Sequence, residues 1–304
     1  MATRRDFLHT TAVLAGSMLA AGRWTAVASE PLLKRRIPST GEALPVIGMG
    51  TSGSFEVPIG GPEYRALEQV LKIFFAGGAR LIDTAPTYSN AEDVLGQLLQ
   101  ESGLRKQAFI ATKLSGVTGR KHGLSQFNAT LRRLHTDHVE LLQVHNLGDW
   151  RTQIALAREL KAQGKVKYVG VTHYLDRAQD QLAEVVQETR PDFLQINYSV
   201  THPGAERRVL PLARDLGVAV LANRNFDDGA LFQRVRGKAL PAWAGEAGIG
   251  SWAQMFLKFA LSHEAVTAAI PATGKPDRQS DNLKAGIGPM LTTKQKAALV
   301  ELFA

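Results

Sequence analysis

The chain has 304 residues, a net charge of +8, 44% hydrophobic residues and no cysteine. Its Lys and Arg are spread without a basic tract, so the positive balance reads as solvated surface and excludes a nucleic-acid partner. No Ser/Gly/Pro-rich linker or low-complexity segment divides the chain, which argues against a string of separate domains.

The N-terminus opens on Thr3 to Leu8 (TRRDFL), followed by a weakly apolar run from Thr10 to Gly22 and a small-x-small site at Ala26-Val27-Ala28. Thirteen residues are too few to span a bilayer as a stable helix. The order of charge, apolar run and cleavage site resembles a twin-arginine export signal. Residues 1–28 are therefore expected to be a signal peptide and 29–304 a periplasmic body. That resemblance implies the twin-arginine export machinery as a partner and transport of an already folded chain. Cleavage after Ala28 removes three arginines and one aspartate, lowering +8 to +6 and leaving 276 residues. The lack of cysteine suits an oxidising compartment.

Beyond the signal, Lys34 to Gly48 carries Pro38, Thr40-Gly41 and Pro45 and reads as a hairpin. Ile47 to Thr51 reads as a first strand, and Pro62 opens a helix with Leu67, Val70, Leu71, Phe74 and Phe75 on one face before Gly77-Gly78 ends it. Further strands are expected at Leu81–Ala85, Phe109–Lys113, Val139–His145, Tyr168–Thr172, Phe193–Tyr198, Val218–Asn223 and Val266–Pro271. Amphipathic helical stretches separate them, near Phe127–Leu134, Thr152–Gln163, Ala178–Glu188, Glu206–Leu216 and Trp252–Ser262. One more helix, about Thr292 to Phe303, makes a short C-terminal tail. Eight β/α units with apolar strands predict a parallel sheet of the α/β class. The G-x-G-x-x-G of an open doubly wound sheet is missing after strand one, so the expected architecture is a (β/α)8 TIM barrel, whose usual size is about 250 residues.

In such a barrel the strand ends carry the chemistry. Leu81 to Tyr88 (LIDTAPTY) ends a strand at Asp83 and places Tyr88 on the next loop, where Ser89-Asn-Ala-Glu92 reads as a capping box. The next two strands end in Lys113 and His145. A phenol is a poor proton donor near neutrality unless a cation stands beside it, and a carboxylate keeps that cation charged and oriented. Histidine can hold a carbonyl oxygen or pass a proton. Asp83, Tyr88, Lys113 and His145, in the motifs D-T-A-x-x-Y, x-T-K and L-L-Q-V-H, resemble the catalytic tetrad of the aldo-keto reductases. The resemblance runs from about Leu44 to Asn282.

It implies a carbonyl reductase acting on a small-molecule aldehyde or ketone with NADPH, and with NAD as the weaker expectation. It also implies a hairpin that plugs the barrel floor. Thr51, Thr172, His173 and Gln195 match a cleft for the nicotinamide, with His173 standing where the family has Asn. Thr273, Lys275, Arg278 and Asn282 match the loop that holds an adenosine 2′-phosphate, for which an arginine fork is suited. There Ala272 stands in place of a common Lys. Asn223 and Arg224 begin a pyrophosphate loop in which Asn225 replaces Pro and Asp227-Asp228 replace the first glycines. Two carboxylates there weaken binding by like-charge repulsion unless they point away. No metal site and no oligomer are expected.

Two other classes remain open. A non-catalytic NADP(H)-binding or redox-sensing protein could share the same fold. A glycoside hydrolase would need a second carboxylate facing Asp83 across the cleft, and no strand end offers one.

Overall fold

The computed structural model of the protein describes residues 30–303, so the expected export signal lies outside the described residues. Strands β1 (Lys34–Arg36) and β2 (Ala43–Pro45) pair antiparallel as the expected hairpin. Eight parallel strands follow in chain order, each beside its predecessor: β3 (Met49–Gly50), β4 (Leu81–Asp83), β5 (Phe109–Leu114), β6 (Val139–Val144), β7 (Val166–His173), β8 (Phe193–Asn197), β9 (Ala219–Asn223) and β10 (Val266–Ala269). Parallel bridges from Ile47 to Ala269 and from Gly50 to Ala272 join the first strand to the last, and the sheet closes as a (β/α)8 barrel.

Every expected strand is present, but the first is the shortest. A Cβ on Gly50 would stand 3.0 Å from the Ile270 carbonyl oxygen, so the backbones meet there at a distance that suits glycine.

The helices are α1 (Pro62–Ala76), α2 (Ala91–Ser102), α3 (Arg120–Arg133), α4 (Trp150–Ala162), α5 (Gln179–Thr189), α6 (Val209–Leu216), α7 (Ala230–Arg234), α8 (Trp252–Leu261), α9 (Pro276–Lys284) and α10 (Thr293–Phe303). Pro62 occupies the first turn of α1, where its missing N–H costs nothing. The short α7 is the unexpected element, inserted between β9 and α8. The tail helix α10 is fastened along the side of the barrel. There Lys296 Nζ donates to Glu206 Oε1 at 2.9 Å, and Phe303 meets the Phe256 ring edge-on at 5.6 Å.

Period-two alternation along the strands sorts side chains between two cores. Residues facing outward, such as Ile82, Ile110, Leu142 and Val169, join the helices in the larger one. Residues facing inward at the lower ends, among them Leu81, Phe109, Leu141, Tyr168, Phe193 and Leu221, pack together inside the barrel. Ile37 and Leu44 of the hairpin belong to this inner cluster and close its floor, which makes the hairpin the expected plug. The Tyr168 hydroxyl, pushed towards that floor, meets Thr40 Oγ1 and Glu42 Oε2, each at 2.7 Å.

The capping box at Ser89–Glu92 does not form. Asn90 caps α2 without a side-chain bond, and Glu92 turns inward. Its Oε1 accepts from Thr112 Oγ1 at 2.8 Å, and its Oε2 pairs with Arg133 at 2.6 Å. A buried carboxylate with this many donors gains more from the interior than from two backbone N–H groups at a helix end.

Candidate active site

Further up the strands, the inward alternation places polar groups above the apolar layer. Asp83, Lys113, Gln143 and Gln195 come from β4, β5, β6 and β8, and all four are buried. Lys113 Nζ donates to Asp83 Oδ1 at 2.5 Å and to the Thr84 carbonyl at 2.8 Å. The other oxygen, Asp83 Oδ2, accepts from Gln143 Nε2 at 3.0 Å and from Gln195 Nε2 at 2.8 Å. The carboxylate is therefore satisfied on both sides and fixed in the barrel axis.

Lys113 reaches beneath Tyr88, with its Nζ 4.8 Å from the ring centroid. Burial alone would lower its pKa, but the Asp83 charge and the Tyr88 phenol outweigh that and hold it above the usual lysine value. An ammonium thus stands under the phenol at any physiological pH.

His145 faces Tyr88 edge-on at 6.1 Å. Burial, with help from the Lys113 charge and His173, pushes its pKa down to about 3. The imidazole is therefore neutral, and Ser115 Oγ lies 2.7 Å from its Nδ1. The Ser115 carbonyl also accepts from Gln126 Nε2, and the Ser115 N–H donates to Gln126 Oε1, both at 2.8 Å. The loop after β6 turns sharply, with Asn146 and Leu147 at φ 52° and 57°. That turn brings the Asn146 N–H to Thr172 Oγ1 at 3.2 Å.

These groups open on a cleft of about 1600 Å³ at the C-terminal end of the barrel. Asp83, Tyr88, His145, Thr51, Thr172, Gln195, Asn223, Arg224, Thr273, Lys275, Arg278 and Asn282 all line it. Lys113 lies just below its floor. His173 is the exception among the expected residues. Its Nδ1 accepts from the Leu175 N–H at 3.2 Å and its ring stacks on Tyr174, so Tyr174 and Asn146 take the cleft wall instead. The reason is the strand period: Thr172 points inward, so His173 must point away.

Gln195, expected at a nicotinamide amide, has both ends engaged inside the barrel, since Asn223 Nδ2 donates to its Oε1 at 3.1 Å. Among the buried polar atoms that have no partner, Thr51 Oγ1, Asn223 Oδ1 and Asn225 Oδ1 belong to residues lining the cleft. Buried polar atoms without partners are costly, and three along one cleft suit a ligand that carries amide or hydroxyl groups. At the far end, Lys275 and Arg278 are exposed at the start of α9 and pair with no carboxylate among the described residues. Unpaired cations at a helix N-terminus suit a phosphate.

In the loop after β9, expected to wrap a pyrophosphate, the two carboxylates lie close to Arg224. Arg224 pairs with Asp228 at 2.7 Å and lies 3.8 Å from Asp227, and its guanidinium sits over Tyr174. Asp227 also lies 3.4 Å from His202 Nε2, whose Nδ1 meets Asp176. Arg224, Asp227 and Asp228 all have positive φ, near 50°, the conformation that the family's glycines adopt freely.

A barrel that brings Asp83, Tyr88 and His145 to one cleft, with Lys113 bonded to Asp83 beneath it, has the makings of an oxidoreductase site, and sequence comparison agrees. Residues 46–303 match the model of the aldo/keto reductase family, and the chain belongs to that family. It is 28% identical to the NADH-specific methylglyoxal reductase of Escherichia coli (strain K12) over 55% of this chain and 58% of that protein. It is also 28% identical to the aldo-keto reductase YhdN of Bacillus subtilis (strain 168), over 64% and 62%. The match thus spans a little under two thirds of each relative. An aldo-keto reductase from Klebsiella pneumoniae, solved in complex with NADPH, shares the fold with a TM-score of 0.76 at 24% identity, covering 90% of this chain and 96% of that one.

Three residues that matter here had no signal of their own in the sequence. Gln143 sits inside the quoted L-L-Q-V-H run, but its role depends on facing Asp83 across two strands. Ser115 and Asn146 depend on how two loops fold back over His145.

Proposed function

We propose that the protein is an exported, NADP(H)-dependent reductase of aldehydes or ketones. The observation that carries this reading is Lys113, held by Asp83 on one side and lying under Tyr88 on the other. When bound, NADPH would supply the hydride that goes to the carbonyl carbon. Tyr88 gives its proton to the oxygen as negative charge develops there, and the ammonium of Lys113 stabilises the phenolate left behind. Asp83 keeps Lys113 charged and aimed, while Gln143 and Gln195 keep Asp83 from turning. The neutral His145 holds the carbonyl oxygen by a hydrogen bond.

For the nucleotide, Thr51, Thr172 and Asn223 are placed to take the carboxamide end, and Thr273, Lys275, Arg278 and Asn282 the adenosine end. The unpaired Lys275 and Arg278 favour the extra phosphate of NADPH over NADH. One of the relatives is named as NADH-specific, so the choice of nucleotide is part of what must be tested. A non-catalytic NADP(H)-binding protein would use the same cleft and differ in turnover alone.

Titration of the purified protein with NADPH and NADH, followed by a panel of aldehydes and ketones, separates these readings. Tighter NADPH binding with turnover supports the reductase. Binding without turnover across the panel supports the binder, and binding of neither nucleotide removes both. Export is tested by fractionation: with Arg4→Lys and Arg5→Lys together, the protein should stay in the cytoplasm.

A further inference from the structure

We propose that Ser115 is a positioning residue that sets the tautomer of His145, so that Nε2 carries the proton and faces the substrate oxygen. The proposal rests on the reductase reading for its catalytic meaning, but the tautomer itself is a property of the protein alone.

A neutral imidazole has one N–H and one lone pair, and which nitrogen holds the proton is fixed by its surroundings. Ser115 Oγ, 2.7 Å from Nδ1, is the hydrogen-bond partner of the His145 ring among the described residues. A hydroxyl can donate or accept, so the distance alone leaves two arrangements. The surroundings of Ser115 decide between them.

Its side chain is buried, at 3% relative exposure, and makes no other hydrogen bond among the described residues. If Nδ1 carried the proton, the serine would accept it, and the hydroxyl hydrogen would be left with no protein acceptor at a buried position. If Nε2 carries the proton, the hydroxyl donates to the Nδ1 lone pair and nothing is left unmet. Buried donors without acceptors are strongly disfavoured, which selects the second arrangement. The depressed pKa of His145 removes the remaining possibility, an imidazolium with both nitrogens protonated.

The serine is itself held in place. Its N–H and carbonyl form a pair of 2.8 Å bonds with the Gln126 side chain on α3, which fixes the backbone from which Oγ projects. The chain of control runs from α3 through Ser115 to the His145 ring. Only the Nε2–H tautomer gives a carbonyl oxygen a donor, whereas the other would meet it with a lone pair.

The test is nitrogen NMR of histidine-labelled, ligand-free protein at pH 7, in which protonated and unprotonated ring nitrogens have well-separated shifts. Wild type should show His145 protonated at Nε2. Ser115→Ala should shift it towards a mixture of tautomers, and Ser115→Thr, which keeps the hydroxyl, should restore it. In turnover, Ser115→Ala should lower kcat on the order of tenfold with little change in nucleotide affinity, and Ser115→Thr should recover most of it. A wild-type His145 protonated at Nδ1, or a Ser115→Ala protein with unchanged tautomer and kcat, overturns the proposal. If no carbonyl is reduced, the reductase reading fails, while the spectra still decide whether Ser115 sets the tautomer.

Discussion

Arg224 and Asp228 are joined by a 2.7 Å ion pair across a single turn of the loop after β9. A guanidinium that lines the cleft is thus neutralised by its own chain before any ligand arrives. A diphosphate entering here must share Arg224 with Asp228. Asp228→Asn should free it and tighten NADPH binding roughly two- to fivefold, in line with the value of a half-exposed ion pair. The gain should shrink with added salt. Fluorescence titration at low and high ionic strength checks this, and weaker binding in the variant would show that the aspartate helps the nucleotide.

Tyr88→Phe removes the proposed proton donor without removing the ring that lies over Lys113. Turnover should be lost, while NADPH affinity stays near that of wild type. Full activity in this variant would assign the proton to another group.

Gly170 on β7 faces Gln143 across the strand pair. A Cβ there would stand 2.9 Å from Gln143 Cγ and 3.1 Å from the Phe193 carbonyl oxygen. Gly170→Ala should therefore force Gln143 off Asp83 and destabilise the fold by about 1–3 kcal/mol, the usual range for overpacking. Adding Gln143→Ala to that variant should recover part of the loss, because the clashing side chain is gone. Urea denaturation of the two single variants and the double variant measures the coupling. Strict additivity would mean that the Phe193 contact dominates.

The pKa of His145, about 3 in the fold against the ordinary value of 6.5, gives a signed dependence on pH. Between these values the unfolded chain takes up a proton that the folded one refuses, so stability falls as pH drops from 6.5 towards 3. The part due to His145 is roughly 3 kcal/mol, allowing for its partial exposure. Across that window the urea midpoint of wild type should fall relative to that of His145→Leu as pH drops. The same shift predicts no histidine inflection from His145 near pH 6.5 in a rate profile.

Much of the barrel could be read from the sequence because its strands are largely apolar runs, such as Ala219–Ala222 before Asn223, that end in a polar or ionisable residue. The tetrad could be read for the same reason: Asp83, Lys113 and His145 lie within a residue of their strands' ends, and position alone places them at one rim. What could not be read depends on partners distant in the chain. Glu92 fits a capping pattern locally, but its partner Arg133 lies 41 residues on. His173 has the right residue type for a cleft wall, but the strand period turns it away once Thr172 faces in. Gln143 looks like one polar interruption in an apolar run until Asp83 is placed opposite it. The Asp227-Asp228 departure was visible, whereas its resolution through Arg224 and His202 was not.

The barrel's circle is fastened unevenly. Seven of its junctions are runs of paired residues, but the join of β3 to β10 rests on isolated bridges at Ile47–Ala269 and Gly50–Ala272. Where a ladder is short, amides are the first to open and exchange with solvent. This seam joins the strand that leads to Thr51 with the strand that leads to Thr273, so it runs between the two ends of the nucleotide cleft. A bound dinucleotide would span it like a clasp. The amides of Gly48, Gly50 and Ala269, which donate across this seam to the carbonyls of Ala269, Pro271 and Val46, should then be the ones whose deuterium uptake slows most when the cleft is filled.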